Sequence, residues 1–127
     1  MIFGIGTDIT QCKRVEAVYR KSGEQFLKRI LTPAELQLAE NRSNMTEFLA
    51  GRWAAKEALA KALGCGLGES CSFQDIEILP DPVNKPLVTL KGKALQTAKQ
   101  AGIGKIHLSI SHEREYATAM VVLEKAF

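Results

Sequence analysis

The chain has 127 residues, and its 17 Lys and Arg residues exceed its 14 Asp and Glu residues to give a net charge of +3. This length predicts a single domain over residues 1–127 that buries roughly two thirds of its unfolded surface. We expect a cytoplasmic protein without nucleic-acid or membrane partners, because the charge is small, no apolar run could span a membrane, and the three cysteines show no CxxC spacing.

The first predicted element is a strand over residues 2–9 with two glycines on one face. Gly4, Gly6 and Asp8 point to one side at the period of a strand, and the mainly apolar alternate residues point to the other. Glycines have no side chain, so they allow a neighbouring element to approach closely. Asp8 is therefore the only functional group on this bare face. The alternative is that Asp8 caps a helix that begins near Thr10.

Residues 11–29 have a helical pattern and an excess of basic residues. Arg14, Val18 and Lys21 form one stripe that mixes positive charge with an apolar side chain. This stripe is either an ordinary solvated surface or a docking surface for an acidic protein, and the pattern does not decide between them.

Two further helices are predicted in the first half of the chain. The sequence Thr-Pro-Ala-Glu over residues 32–35 is typical of a helix start, and this short helix should end near Glu40. A long central helix should begin near Asn44, which forms a capping-box pattern with Glu47. Gly64 should end it, because glycine adopts the left-handed conformation without strain.

The central helix divides into an apolar and a charged side. The apolar side holds small or apolar residues, namely Phe48, Gly51, Ala54, Ala55, Ala58, Leu59 and Ala62. The polar side holds Arg52 and Lys56 on one flank and Glu57 and Lys61 on the other, and the last two are close enough along the helix to meet. This is either a solvated face whose ion pair contributes about 0.3–0.5 kcal/mol, or a contact surface for an elongated anionic ligand.

The second half of the chain is predicted to be mostly strands. A glycine-rich turn follows the central helix and is expected to reverse the chain, although its amides could also contact phosphate. The predicted elements are strands 74–79 and 86–90, a helix over 91–101, and strands 105–111 and 116–123. The last strand is apolar on both faces, which indicates burial on both sides, either inside the domain or between subunits.

Three segments together resemble a known family. They are Gly-Ile-Gly-Thr-Asp-Ile at 4–9, Phe-Leu-Ala-Gly-Arg-Trp-Ala-Ala-Lys-Glu-Ala at 48–58, and Ser-Ile-Ser-His-Glu at 109–113 followed by Tyr116 and Ala117. With them the chain resembles the holo-[acyl-carrier-protein] synthases, the small bacterial 4′-phosphopantetheinyl transferases. The resemblance extends over essentially the whole chain. Where such proteins usually carry Gly-Lys-Pro, this chain has Asn84-Lys85-Pro86, and Asn can preserve a left-handed turn.

The resemblance implies a fold and an activity. The fold would be α+β, with a mainly antiparallel sheet packed against the long central helix. The activity would move the phosphopantetheine arm of coenzyme A to a serine of apo acyl carrier protein and release adenosine 3′,5′-bisphosphate. Magnesium, a homotrimer and active sites at the subunit borders are also implied.

The resemblance also assigns roles in catalysis. Asp8 and Glu57 would be the magnesium ligands, which agrees with the preference of this ion for carboxylate oxygens. Lys61 would reach the same pyrophosphate and offset the charge of the leaving group. As a hypothesis, the serine proton passes through a water on the metal to Glu57.

Other residues are candidates for substrate and partner binding. Arg52, Lys61, Lys85, Pro86 and His107 would contact the phosphates or the adenine end of coenzyme A. For His107 and for His112, a neutral histidine without a ligand is an equal alternative. The stripe of Arg14, Val18 and Lys21 would meet the acidic carrier protein.

Two other function classes stay open on the sequence. A non-enzymatic basic module that binds an acidic protein or nucleic acid would explain the basic residues at 13–29, but it gives no role to Asp8, Glu57 and Lys61. A different magnesium-dependent phosphotransferase or hydrolase would use the same carboxylates.

Overall fold

A computed structural model describes residues 1–126 and contains five α-helices and five strands. The strands are β1 (Ile2–Gln11), β2 (Ile76–Pro80), β3 (Pro86–Leu90), β4 (Ile103–His112) and β5 (Tyr116–Lys125). The helices are α1 (Cys12–Ser22), α2 (Glu24–Ile30), α3 (Pro33–Ala39), α4 (Met45–Leu63) and α5 (Gly92–Gln100). The chain therefore follows the predicted order of elements.

The strands form two antiparallel sheets. In the larger sheet β5 lies between β1 and β4, so that Val121 is opposite both Gly6 and Leu108. The smaller sheet is the hairpin of β2 and β3, where Ile76 pairs with Leu90 and Ile78 with Val88. The long helix α4 packs on β1, β4 and β5, and its predicted apolar side is buried. The predicted α+β fold is confirmed.

The bare face of β1 lies directly on α4. A Cβ atom added to Gly6 would stand 1.9 Å from the carbonyl oxygen of Ala58, and one added to Gly4 would stand 2.2 Å from that of Ala62. Both distances are far below van der Waals contact, so only glycine allows this approach of backbone to backbone. This contact brings the next residue on that face, Asp8, toward α4.

Substituting Gly6 by Ala is expected to lower the free energy of unfolding by about 3 kcal/mol, because the added methyl group meets rigid backbone rather than a side chain that can move. Urea denaturation measures the change. Gly51→Ala is the matched control, because its Cβ would lie 3.4 Å from Cγ2 of Ile110. Its stability should stay within about 1 kcal/mol of the parent, and equal losses in the two variants would contradict the close approach of β1.

The helix ends partly follow the predictions. The predicted helix over 11–29 is divided into α1 and α2 by Gly23, whose φ is +53°. The side chain of Asn44 accepts a hydrogen bond from the Glu47 amide at 3.0 Å, but the Glu47 carboxylate contacts the side-chain amide of Asn44 instead of its backbone. Gly64 ends α4 in the left-handed conformation, with φ +85°, as predicted.

The larger sheet has one buried and one exposed face within a single chain. For the last strand, burial of both faces inside the domain is wrong, because Tyr116 and Met120 are 38% and 51% exposed. Burial between subunits stays a prediction. On β1, Ile5 and Ile9 are 59% and 67% exposed on the face away from α4. An apolar surface of several side chains is therefore uncovered opposite the helix.

None of the helices in residues 1–126 combines the length and the apolar character that crossing a bilayer requires.

Candidate active site

Asp8 projects from β1 and is held by two donors. The hydroxyl of Thr10 donates to Oδ2 of Asp8 at 2.7 Å, and Nζ of Lys61 donates to Oδ1 at 3.1 Å and to the carbonyl oxygen of Thr7 at 3.0 Å. Asp8 lies within the strand, and the residue at the N-cap of α1 is Gln11, so the alternative that Asp8 caps a helix is wrong. The carboxylate is instead positioned toward α4.

Glu57 faces Asp8 from α4 across a shared cleft of 310 Å³, called here the acidic cleft. Its walls are formed by Asp8, Ile9, Thr10, Gln11, Arg14, Val15, Val18, Phe26, Trp53 and Glu57. Partial burial, and secondarily the negative charge of Asp8, raise the pKa of the Glu57 carboxyl above its ordinary value, while Lys61 acts in the opposite direction. Two neighbouring carboxylates in a partly desolvated cleft are a site where a bound cation is favourable.

The donor set of the acidic cleft fits a magnesium ion. Residues 1–126 contain no group of three or more His, Cys, Asp or Glu side chains arranged for a metal, and the carboxylates that line the acidic cleft are those of Asp8 and Glu57. Magnesium in phosphate-transferring sites takes one or two carboxylates and completes its shell with water and substrate phosphate oxygens. Oxygen donors from two rigid elements, one strand and one helix, meet that requirement.

Lys61 contacts Asp8 rather than Glu57. The sequence predicted a pair within the helix, one turn apart, but the structure joins α4 to β1 through the Lys61–Asp8 ion pair. The Lys61 side chain is 51% exposed, so its amine can leave Asp8 for another anion at small cost.

Two aromatic rings, those of Trp53 on α4 and Phe26 on α2, form part of the wall of the acidic cleft. Trp53 lies one turn before Glu57 and packs between two phenylalanines, with ring centroids 5.8 Å from Phe26 and 5.1 Å from Phe73. Such packing fixes the indole ring and partly shields the neighbouring carboxylate from water.

A second cleft of 710 Å³, called here the basic cleft, lies at the start of α4. Its walls are formed by Arg42, Ser43, Asn44, Glu47, Phe48, Gly51, Arg52, Pro80, Asn84, Lys85, Pro86, Leu108, Ser109, Ile110 and His112. The guanidinium groups of Arg42 and Arg52 lie 5.2 Å and 4.6 Å from the ring centroid of Phe48. Two cations around one aromatic ring, with Lys85 also lining the cleft, suit an anionic ligand with a flat apolar part.

Arg52 is the most buried of these cations. Burial lowers the pKa of its guanidinium to about 10, and the neighbouring carboxylate of Glu35 opposes this shift. The buried Nε atom of Arg52 has no hydrogen-bond partner among residues 1–126. A buried donor without a partner is costly, so a ligand that accepts from this nitrogen would gain from it.

The turn between β2 and β3 carries Lys85 and Pro86 to the basic cleft. Asn84 has a φ of +64°, which confirms the prediction that asparagine replaces glycine in a left-handed turn. Oδ1 of Asp81 accepts hydrogen bonds from the amides of Val83 at 2.9 Å and Lys85 at 2.8 Å. The turn therefore forms with Asn84 in the left-handed position.

The two histidines lie in different surroundings, and only one of them lines a cleft. His107 lines neither cleft; its Nε2 lies 2.5 Å from Oε1 of Glu124, and this contact is the main cause that lowers the pKa of the Glu124 carboxyl. His112 lines the basic cleft, where its Nδ1 contacts Oε1 of Glu47. In the sequence, His112 was distinguished only by its place at the end of the Ser-Ile-Ser-His segment. Strand periodicity does not show which end of a strand borders a cleft, so it could not favour His112 over His107.

Lys56 is a correction to the predicted polar side of the central helix. Its side chain is 0% exposed, and Nζ donates to Oε1 of Glu35 at 2.6 Å and to the carbonyl oxygens of Ile30 at 2.7 Å and Phe73 at 3.0 Å. Burial lowers the pKa of the Lys56 ammonium, while Glu35 opposes that shift. Lys56 is therefore part of the core and cannot join Arg52 in a surface pair for a ligand.

The predicted docking stripe lies at the mouth of the acidic cleft. Arg14 and Val18 line that cleft, and Val18 is 42% exposed. Lys21 lies further along α1, beside Arg20, which forms an ion pair with Glu16 at 2.5 Å. A partner seated on this stripe would present its own residues to Asp8 and Glu57.

The two clefts lie on different sides of α4. Counting about 100° per residue, Trp53 and Glu57 lie roughly 140° and 180° around the helix from Phe48, which lines the basic cleft. Arg52 lies only about 40° from Phe48. In one chain, the carboxylate pair and the basic cleft therefore face roughly opposite directions.

Comparison with known proteins gives consistent similarities. Residues 4–121 match the family model of the 4′-phosphopantetheinyl transferase superfamily. A holo-[acyl-carrier-protein] synthase of Vibrio cholerae is 50% identical over 125 residues, which are 98% of this chain and 99% of that protein. The crystal structure of the Neisseria meningitidis synthase has a TM-score of 0.93 at 41% identity and covers 98% and 100% of the two chains. The Helicobacter pylori synthase in complex with coenzyme A has a TM-score of 0.84 at 37% identity and covers 94% and 99%.

Proposed function

Because the chain belongs to the 4′-phosphopantetheinyl transferase superfamily, within which it is a holo-[acyl-carrier-protein] synthase, we propose that it transfers phosphopantetheine from coenzyme A to a serine of apo acyl carrier protein. The observation that carries this proposal is the meeting of Asp8 and Glu57 in one cleft, with Lys61 at its edge. The Helicobacter pylori relative binds coenzyme A, which supports the same substrate here.

Asp8 and Glu57 would hold Mg²⁺, which supplies positive charge to the pyrophosphate when it is bound. The serine oxygen attacks the β-phosphorus, the bond from that phosphorus to the bridging oxygen breaks, and adenosine 3′,5′-bisphosphate leaves. Glu57 accepts the serine proton through a water. The half-exposed Lys61 leaves Asp8 and places its charge at the leaving oxygen.

The basic cleft is proposed to bind the nucleotide end of coenzyme A. Arg52 and Lys85 would contact phosphates, and Pro86 and Phe48 would contact the adenine ring. His112 is better placed than His107 for this role, because it lines the cleft. For His107 the contact with coenzyme A stays a prediction, with Glu124 as its neighbour within the chain.

The assembly is proposed to be a homotrimer with active sites at the subunit borders. Within one chain the acidic and basic clefts lie on roughly opposite sides of α4. One coenzyme A molecule is therefore better bound between two copies of the chain, with one cleft supplied by each copy. The uncovered apolar face of the larger sheet, with Ile5, Ile9 and Met120, supplies a surface for such contacts. Each copy would then contribute its acidic cleft to one active site and its basic cleft to the next.

Intact-mass spectrometry of apo carrier protein tests the proposed reaction. With this protein, coenzyme A and Mg²⁺, the carrier protein should gain the mass of one phosphopantetheine, and EDTA should abolish the gain. Carrier-protein binding without a mass change would favour the non-enzymatic basic module. Consumption of coenzyme A without a mass change on the carrier protein would favour a hydrolase.

Reversing the charge of Arg14 is expected to weaken docking of the carrier protein. In Arg14→Glu, the KM for carrier protein should rise about tenfold while the KM for coenzyme A changes little, because electrostatic complementarity mainly governs protein encounter. Steady-state kinetics with each substrate varied in turn measures the split.

Two variants support the interpretation of that result. Lys21→Glu reverses a second positive charge, which lies further along α1, and it should act in the same direction. Lys99→Glu, on the exposed surface of α5, is the control and should leave both KM values unchanged. Equal effects of Arg14→Glu on both substrates would contradict a docking role.

A further inference from the structure

The two donors that hold Asp8 differ in rigidity. Thr10 follows Asp8 by two positions on β1, so both side chains lie on the face toward α4. Thr10 is 8% exposed, and as a β-branched residue it has few rotamers, so its hydroxyl stays in place. Lys61 instead reaches Asp8 with a long side chain that is half-exposed.

The two contacts occupy different oxygens of the same carboxylate. Oδ2 accepts from the Thr10 hydroxyl at 2.7 Å, and Oδ1 accepts from Lys61 at 3.1 Å. A carboxylate anchored at one oxygen cannot rotate freely, so the position of its other oxygen is restricted too. When Lys61 turns to the pyrophosphate, Thr10 is the contact of Asp8 that persists.

We propose that Thr10 is a positioning residue, whose hydroxyl fixes the Asp8 carboxylate in the orientation that binds the divalent metal. This inference rests on the proposed function, in which Asp8 is a metal ligand. Hydrogen bonds from groups behind a metal ligand orient it and commonly change metal affinity by about 10- to 100-fold. Thr10 occupies that position for Asp8, and its role does not require contact with the metal or the substrates.

Mn²⁺ titration followed by electron paramagnetic resonance tests the proposal, with coenzyme A bound and carrier protein omitted so that no turnover occurs. Thr10→Val, which keeps the shape and removes the hydroxyl, should raise the Kd for Mn²⁺ about tenfold. Thr10→Ser keeps a hydroxyl and should restore most of the affinity. In kinetics, Thr10→Val should need more Mg²⁺ for half-maximal rate, while its kcat at saturating Mg²⁺ stays near that of the parent.

Controls separate this inference from the proposed function. Thr89→Val removes an exposed hydroxyl from β3, outside both clefts, and should leave Mn²⁺ affinity unchanged. Asp8→Asn should lose Mn²⁺ binding; if it binds as the parent does, Asp8 is not a metal ligand and the metal site of the proposed function is wrong.

If Asp8→Asn loses the metal but Thr10→Val binds it as the parent does, the positioning role is overturned while the metal site stands. Equal loss in Thr10→Val and Thr10→Ser would also overturn it, because the hydroxyl would then not matter. Thr10→Ala is a second hydroxyl-free variant, to be used if Thr10→Val does not fold.

Discussion

A Glu57→Gln variant is expected to lose about 10³-fold in kcat, because the amide can neither accept the serine proton nor supply the same negative charge to a divalent cation. The fold should be preserved, since Gln has nearly the shape of Glu and Glu57 lies at a cleft rather than in the core. The measurement is initial rate against Mg²⁺ concentration, combined with Mn²⁺ affinity measured in the presence of coenzyme A.

The two measurements separate the two roles of Glu57. Weakened metal binding with recovery of rate at high Mg²⁺ would leave Glu57 as a ligand only. A variant that binds the metal normally and keeps full turnover would remove Glu57 from the role of base. Glu40→Gln, at an exposed position after α3, removes the same charge outside both clefts and should change neither quantity.

Replacing Lys56 by Met is expected to lower the free energy of unfolding by about 3–5 kcal/mol, the largest stability change anticipated in this chain. The substitution leaves the Glu35 carboxylate buried without its cation, at a site where both side chains are 0% exposed. Glu35 would keep only its hydrogen bonds from the amides of Thr32 and Ile78, both at 2.8 Å. Urea denaturation measures the change.

Two controls accompany the Lys56 variant. Lys61→Met removes a half-exposed lysine from an ion pair, and it should cost less than about 1 kcal/mol. The double variant Lys56→Met/Glu35→Gln removes both charges, so part of the lost stability should return. If Lys56→Met unfolds at the same urea concentration as the parent, the buried ion pair contributes no more to the free energy of unfolding than an apolar side chain would.

The contact between β1 and α4 was accessible to sequence reasoning because it depends on local patterns. Alternation along residues 2–9 placed Gly4, Gly6 and Asp8 on one face, and helical periodicity placed small residues on one side of α4. The structure brings those two surfaces together. Asn44 and Gly64 likewise mark the ends of α4, because capping is decided within a few residues.

The position of Lys56 could not be predicted in the same way. Helical periodicity places Lys56 beside Arg52 on the charged side, but it does not say which other segments cover that side. In the structure, the carbonyl oxygens of Ile30 and Phe73 and the carboxylate of Glu35 surround the ammonium group. These partners are separated from Lys56 by 17 to 26 residues, so only the folded chain brings them together.

The partner of Lys61 and the choice between the histidines depend on tertiary structure too. Asp8 precedes Lys61 by 53 residues, whereas the predicted partner Glu57 was only one turn away. His112 and Arg52 line the same cleft because the end of β4 and the first turns of α4 both border it. Neither arrangement leaves a periodic signal in the sequence.

Trp53 is the only tryptophan of the 127 residues, and it lines the cleft that holds Asp8 and Glu57. Intrinsic indole fluorescence of this protein therefore originates at a single place, beside the two carboxylates and between Phe26 and Phe73. Paramagnetic Mn²⁺ in that cleft should quench the emission, and diamagnetic Mg²⁺ should compete with it. Occupancy of the site can thus be followed optically, without a label.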